Sequence, residues 1–394
     1  MTSPQRAEHA VAPFDTHYLD RLMEEHGLDV IVATSKHNVQ YLLGGYRFFF
    51  FDTMEAIGTS RYLPAVVYRK GRPAETIYVG CSMESFERDN GRLWPASLDL
   101  GTTGSEAAAR QVVRHVLQLG PSVKRIGLEG PFIPADAAAI LREGLNHCTF
   151  GDAVLPLERL RARKTPREIA CLREASERVV DAMLATFWSC APHRSKAEIA
   201  ETLRLEEVKR GLVFDYCLIT AGTSLNRAPS LQRLARGDII SLDSGANQSG
   251  YIGDLCRMAI LGKADAELTD LLGVIEEVQQ ATRRLVRPGT RGGDIVDLGL
   301  QMAATSRHGA FLRFQAHGMG LVSHEAPRLM DMPRTSYTGY DRDRPLESGL
   351  VISIETTLSH PKRGFIKLED TILVTEDGYE ALGDAGRGWN EIAV

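Results

Sequence analysis

The 394-residue chain is short of aromatic residues, at 7% with three tryptophans, and lacks any marked excess of one charge: 46 Lys and Arg stand against 51 Asp and Glu. A formal net charge of −5 gives no basic footprint for nucleic acid. No apolar run approaches the ~20 residues that a membrane-spanning helix needs. The polar opening MTSPQRAEHAVAPF has no apolar centre, so no signal peptide is expected. Cysteine is sparse and scattered. Cys81, Cys148, Cys171, Cys190, Cys217 and Cys256 form no CxxC pair, which argues against a disulfide framework and for free thiols in a reducing cytoplasm. Short-period repeats and low-complexity tracts are also missing. The remaining expectation is a cytoplasmic globular chain with no nucleic-acid or membrane partner, too long for one core and so built of two domains.

The first part alternates helix and strand. Residues 17–26 carry Leu19, Leu22 and Met23 at helical spacing and end at Gly27; residues 28–35 (LDVIVATS) follow as a buried strand. Helix at 106–119, strand at 125–130 and helix at 135–145 continue the pattern, which predicts an α/β domain ending near residue 155. A charge-rich helical segment then begins at TPREIACLREA, with Thr165 as cap, Pro166 at the first helical position and Glu168 three residues after the cap. Past residue 210 the texture turns to strands and tight turns, with helical stretches near 265–287 and 293–307. This second part reads as α+β, an antiparallel sheet with helices to one side.

Acidic residues sit where strands read as buried. Asp243 follows IISL, Asp254 follows YIG, Glu355 follows VISI and Glu369 follows FIKL. Any one alone reads as a cap or turn residue. Four such carboxylates, embedded in apolar strand sequence, would cost several kcal/mol each and repel one another unless paired or metal-bound. The segment QAHGMGLVSHEAP adds His317 and His324, with glycines that allow close backbone approach. An oxygen-rich set with one imidazole suits two hard or borderline divalent cations (manganese, cobalt, iron or zinc), about 3.5–4 Å apart and activating water, better than one structural zinc.

With these motifs the chain resembles the pita-bread metallohydrolase family of prolidase, aminopeptidase P, methionine aminopeptidase and creatinase. As in that family, Asp243 and Asp254 are eleven residues apart and His317 and His324 seven; Glu355 and Glu369, fourteen apart, match the prolidase spacing. LDVIVATSKHNVQYLLGG (28–45) and LRARKTPREIACLREA (160–175) are similar to the family's opening strand-helix and to its linker and first catalytic helix. The resemblance implies an α/β creatinase-type N-terminal domain over 14–158 and an α+β pita-bread catalytic domain over 159–394. It implies two metal ions on Asp243, Asp254 and Glu369, with Asp254 and Glu369 bridging and with His317 and Glu355 completing one ion's shell. Glu355 would accept a proton, His324 would contact substrate or stabilise the tetrahedral intermediate, and the protein would be a homodimer.

Several positions depart from a proline peptidase. Asn226 stands where the family has a histidine, and an amide cannot shuttle a proton near neutral pH. His360 is a candidate replacement, although a surface role is the simpler reading. Lys367 replaces the arginine two residues before the last ligand, keeping the charge and losing the bidentate fork. Thr356-Thr357 replaces Pro-Gly, Cys256 a threonine and Ala316 a glycine, and the loop at 328–344 is rich in tyrosine and arginine. YRFFFFD (46–52) reads as a buried strand or dimer core, or else Phe50 with Arg61 closes a partner subunit's pocket around an anionic group. The expected activity is metal-dependent hydrolysis of a C–N bond in a small molecule or dipeptide, either Xaa-Pro dipeptidase-like or specialised for an amino-acid derivative. The alternatives are a lyase or other non-peptidase enzyme on the same fold and, against the intact ligand set, a non-enzymatic binding module.

Overall fold

A computed structural model describes residues 11–52, 60–332, 335 and 337–393. Most of the N-terminal segment read for a signal peptide (residues 1–10), and parts of the loops around 53–59 and 333–336, lie outside the described residues. The chain divides into two compact units, one up to Arg161 and one from Ala162. All six cysteines are free thiols. Among the described residues no helix is long and apolar enough to cross a membrane.

The first unit contains strands β1 (Val30–Ala33), β2 (Ala65–Arg69), β3 (Ile77–Val79), β4 (Ser97–Asp99), β5 (Arg125–Leu128) and β6 (Thr149–Asp152) in one mixed sheet, ordered β4-β3-β2-β1-β5-β6. Its helices are α1 (Thr16–Glu25), α2 (Lys36–Leu42), α3 (Ser85–Asp89), α4 (Ser105–Gln118), α5 (Ala135–Gly144) and α6 (Val154–Ala162). Alternation along each strand splits the core. Val30, Val32 and Val67 pack with Ala108, Val112 and Leu141 of α4 and α5. Ile31, Val66 and Tyr68 pack on the other side with Leu19, Leu22 and Val39 of α1 and α2. The four phenylalanines form no strand: Phe49–Asp52 is a 3-10 turn in which Phe50 and Phe51 are buried and Phe49 is 56% exposed.

In the second unit the helical segment expected from Thr165 is two helices, α7 (Pro166–Trp188) and α8 (Lys196–Lys209). Each begins with its own capping box, Thr165 with Glu168 and Ser195 with Glu198. The sheet follows with β7 (Val213–Ala221), β8 (Ile239–Gln248), β9 (Tyr251–Leu261), β10 (Leu312–Gly318), β11 (Val351–His360), β12 (Gly364–Val374), β13 (Tyr379–Leu382) and β14 (Asn390–Ile392); α9 (Ala266–Arg283) and α10 (Gly292–Thr305) lie between β9 and β10 in sequence. The main path is β10-β11-β12-β9-β8-β7, antiparallel throughout, and β14 joins β9 in parallel. Helices α7 and α8 cover β7–β9 through Val179, Met183, Ile199, Ile219, Leu242 and Leu255. Helices α9 and α10 cover β10–β12 through Leu271, Ile275, Ile295, Phe314, Ile354 and Leu368.

Candidate metal centre

Side chains alternate across a strand, so residues one position away from those core residues point to the opposite face of the sheet. Asp243 lies beside Leu242, Asp254 beside Leu255, Glu355 beside Ile354, Glu369 beside Leu368 and His317 beside Ala316. All five donors therefore emerge on the face turned away from the helices. The strand register gathers them. Gln315 is opposite Glu355, Glu355 opposite Glu369, Glu369 opposite Cys256, Cys256 opposite Asp243 and Asp243 opposite Leu218, a single row across six strands. Asp370 shows what the other face does with an acid: it points toward the helices and is paired with Arg257 at 3.3 Å, Arg283 at 3.7 Å and Arg387.

The donors are buried, His317 completely and Glu355 with 7% exposed. With the exposed His324 they form two groups whose nearest ligand atoms lie within 4.8 Å of one another: Asp243, Asp254 and Glu369, and His317, His324 and Glu355. His317 Nδ1 faces the Gly318 carbonyl at 3.1 Å, an interaction that places the proton there and leaves the Nε2 lone pair aimed at the carboxylates. Nε2 is 3.7 Å from Oε1 of both Glu355 and Glu369, too far for a hydrogen bond, and Asp254 Oδ1 is likewise unpartnered among the described residues. Two orphaned, fully buried ligand atoms pointing into a cluster of carboxylates fit a divalent cation.

Lys367 stands in the middle of this set. Its Nζ lies 2.6 Å from Asp243 Oδ2, 2.6 Å from Glu355 Oε2 and 2.7 Å from Glu369 Oε2. Burial works to lower its pKa, but the three carboxylates outweigh it and hold the ammonium protonated, above the ordinary lysine value. Burial, then the charges of Glu369 and Asp243, push Asp254 well above the usual carboxylate range. His324 stacks on His317 at 3.8 Å between ring centroids; desolvation, then His317, bring its pKa down to about 3, so its imidazole is neutral. The loop carrying His324 is braced by the buried Lys164–Glu325 pair, 3.1 Å apart.

A cavity of about 740 Å³ opens over the donors, walled by Tyr216, Leu218, Arg227, Gln315, Met330 and Met332. Tyr216 lies against Gly245, where a Cβ would fall 2.4 Å from its ring. Asn226 is exposed and outside the cavity wall; its backbone carbonyl accepts from Lys196 Nζ at 2.5 Å. Its neighbour Arg227 enters instead, hydrogen-bonded to Asp243 Oδ2 and lying over the Phe365 ring at 5.1 Å. Nothing in the sequence pattern marked Arg227, because the conformation of the irregular segment after β7 decides which of the two residues turns inward. His360 is also outside the wall: its Nδ1 accepts the backbone N–H groups of Lys362 and Arg363, closing the β11–β12 hairpin. Phe50 and Arg61 belong to the first unit and pair with each other, the guanidinium 4.4 Å from the ring centroid.

A creatinase-type α/β domain followed by a pita-bread domain, with carboxylates and an imidazole converging on the sheet face turned away from the helices, defines a metal-dependent hydrolase that uses divalent cations. The chain belongs to metallopeptidase family M24, whose model matches residues 170–376; the model of the creatinase/prolidase N-terminal domain matches residues 17–163. A Xaa-Pro dipeptidase of Pyrococcus furiosus is 26% identical over 274 residues, 68% of this chain and 76% of that protein. Among solved structures, a Xaa-Pro dipeptidase from Bacillus anthracis superimposes with a TM-score of 0.80 at 21% identity, covering 96% of this chain and 99% of the other. An X-Pro aminopeptidase from Thermotoga maritima gives 0.74 at 18% identity, with 96% and 99% covered.

Proposed function

We propose that the chain hydrolyses the C–N bond of a small substrate, a Xaa-Pro-type dipeptide or a related amino-acid derivative. Two divalent ions (manganese, cobalt, iron or zinc) would be held by Asp243, Asp254, His317, Glu355 and Glu369. The observation that carries this reading is the convergence of these five side chains while His317 Nε2 and Asp254 Oδ1 lack any other partner among the described residues. The Xaa-Pro dipeptidase of Pyrococcus furiosus supports the dipeptide class. Bound divalent ions supply Lewis acidity toward a carbonyl oxygen and toward water.

The protein's own groups do the remainder. Glu355, among the residues lining the cavity, takes a proton from the attacking water. His324, neutral and open to the cavity, donates a hydrogen bond to the developing oxyanion. Leu218, Met330 and Met332 give the cavity a dry wall for an apolar side chain or ring. Arg227, with 35% of its side chain exposed, favours within this class a substrate that carries a free carboxylate. The working form in this reading is a cytoplasmic homodimer, which light scattering tests directly.

The reaction is tested with a panel of Xaa-Pro dipeptides, Xaa-Pro tripeptides and N-acyl amino acids, assayed after Mn²⁺ loading and again after chelation. Hydrolysis of at least one class that chelation abolishes is expected, and no metal-dependent amine release from any of them would sink the reading. His317→Ala should lose bound metal along with activity. His324→Ala should keep the metal while kcat falls by ~10²–10³, the cost of one lost oxyanion donor. Metal loss in His324→Ala would make that residue a ligand instead.

A further inference from the structure

The cavity over the donors is bounded differently at its two edges. Strands β7 and β10 are the opposite ends of the six-strand path. Beside β7 runs the backbone of Arg227, whose carbonyl accepts from Ile219 N at 2.7 Å. Beside β10 lies Met330, whose sulfur accepts from Ala316 N at 3.4 Å. Met330 opens a stretch in which Asp331, Met332 and Thr335 also line the cavity. A guanidinium therefore enters from the β7 edge and a carboxylate from the β10 edge, with the donor row between them.

The stretch around Asp331 is braced. Arg328 N donates to Asp341 Oδ2 at 2.9 Å, and Asp341 N donates to the Arg328 carbonyl at 3.0 Å. Met332 N donates to the Tyr337 carbonyl at 2.8 Å, and the Tyr337 hydroxyl to the Glu325 carbonyl at 3.0 Å, next to His324. Asp331 gives one oxygen to this frame: Oδ1 accepts from Gly339 N at 2.8 Å. Its Oδ2 has no protein partner among the described residues. The other acids of the cavity wall, Asp243, Asp254, Glu355 and Glu369, belong to the donor set. Asp331 stands outside that set and, among the described residues, meets no cation. Most exposed acids are simply solvated, but this one is fixed on a braced wall of the substrate cavity, between two methionines.

We propose that Asp331 is a specificity-determining residue that receives a primary ammonium on the amino-terminal side of the bond cleaved, while Arg227 faces the carboxylate end. This rests on the hydrolytic reading above and deepens it by giving the substrate a fixed direction across the sheet, carboxylate toward β7 and ammonium toward β10. The ammonium is either the α-amino group or the end of a basic side chain, two sources of one chemistry that the test separates.

Mn²⁺-loaded wild type and Asp331→Asn are assayed with Ala-Pro, Met-Pro and Lys-Pro, and with N-acetyl-Ala-Pro as a competing ligand. Asparagine keeps an oxygen for Gly339 N and so removes the charge without removing the brace. Where Asp331 holds a basic side chain, KM for Lys-Pro should rise about tenfold relative to Met-Pro, with kcat little altered, as loss of one charged hydrogen bond would impose. Asp331→Lys should then prefer Glu-Pro to Lys-Pro, a reversal that damage to the loop cannot produce. Where Asp331 holds the α-amino group, KM should rise about tenfold for all three dipeptides while N-acetyl-Ala-Pro competes as well as before. Unaltered KM for every dipeptide overturns the proposal, and so does an equal loss on N-acetyl-Ala-Pro, which would mark a structural role. A wild type that hydrolyses none of the dipeptides overturns the dipeptide reading beneath the proposal, a result distinct from turnover that Asp331→Asn leaves as it was.

Discussion

Glu207 of α8 is fully buried, and it meets Ser244, the neighbour of Asp243. The Ser244 hydroxyl lies 2.6 Å from the Tyr216 carbonyl and 3.0 Å from Glu207 Oε1, and it has one hydrogen to give. Burial pushes the Glu207 pKa from 4.5 up to about 8; Ser244 opposes the shift and Asp215 adds to it. A carboxyl whose folded pKa is raised binds its proton more tightly when folded. Its contribution to stability is therefore complete below about pH 4.5 and is lost as pH rises through about 8. Glu207→Gln, which fixes the neutral form, should match the wild type at pH 5. It should become the more stable protein by pH 9, by up to ~4 kcal/mol. Melting curves of the two proteins that stay parallel from pH 5 to 9 would refute this.

At the level of elements, the period of two along the strands was legible in the sequence and carried most of the site. Acids inside IISL-Asp243, VISI-Glu355 and FIKL-Glu369 can only face away from the apolar residues beside them. The Thr165–Glu168 capping box was legible for the same local reason. What could not be read depends on contacts distant in sequence. The inward turn of Arg227 is such a case, in the irregular segment after β7 where Lys196 Nζ donates to the Asn226 carbonyl; the break between α7 and α8, by contrast, is marked by the Ser195–Glu198 capping box, as local a signal as the first. Gly253 joins local sequence to long-range packing. It precedes Asp254 on β9, and a Cβ there would fall 2.7 Å from Ser176 N and 2.8 Å from Ala175 C in the backbone of α7. Helix backbone cannot yield as a flexible side chain would, so Gly253→Ala should push β9 off α7 at a cost of ~1–3 kcal/mol. Because Asp254 moves with the strand, the variant should also bind Mn²⁺ at least about tenfold more weakly. A lower melting temperature with unchanged Mn²⁺ affinity would separate the packing role of Gly253 from the site.

At the scale of the molecule, the two units carry different burdens. Each has its own buried clusters, and all five donors, the cavity wall and Lys367 belong to the unit from Ala162 onward. A cation bound by the folded state alone stabilises it by ~2.7 kcal/mol at a hundred times its Kd. Applied to one unit of this size, that shift is ~5–10 °C. Calorimetry with Mn²⁺ and then with chelator should therefore move the transition of the second unit and leave that of the first in place. His317→Ala identifies the moving transition by abolishing its shift. If both transitions instead rise together, the units unfold as one cooperative block and metal held by one sheet stabilises the whole chain. A shift confined to one would mean that the first unit adds nothing to metal retention, and that its contribution to function must be sought in what it presents to substrate or to a second copy of the chain.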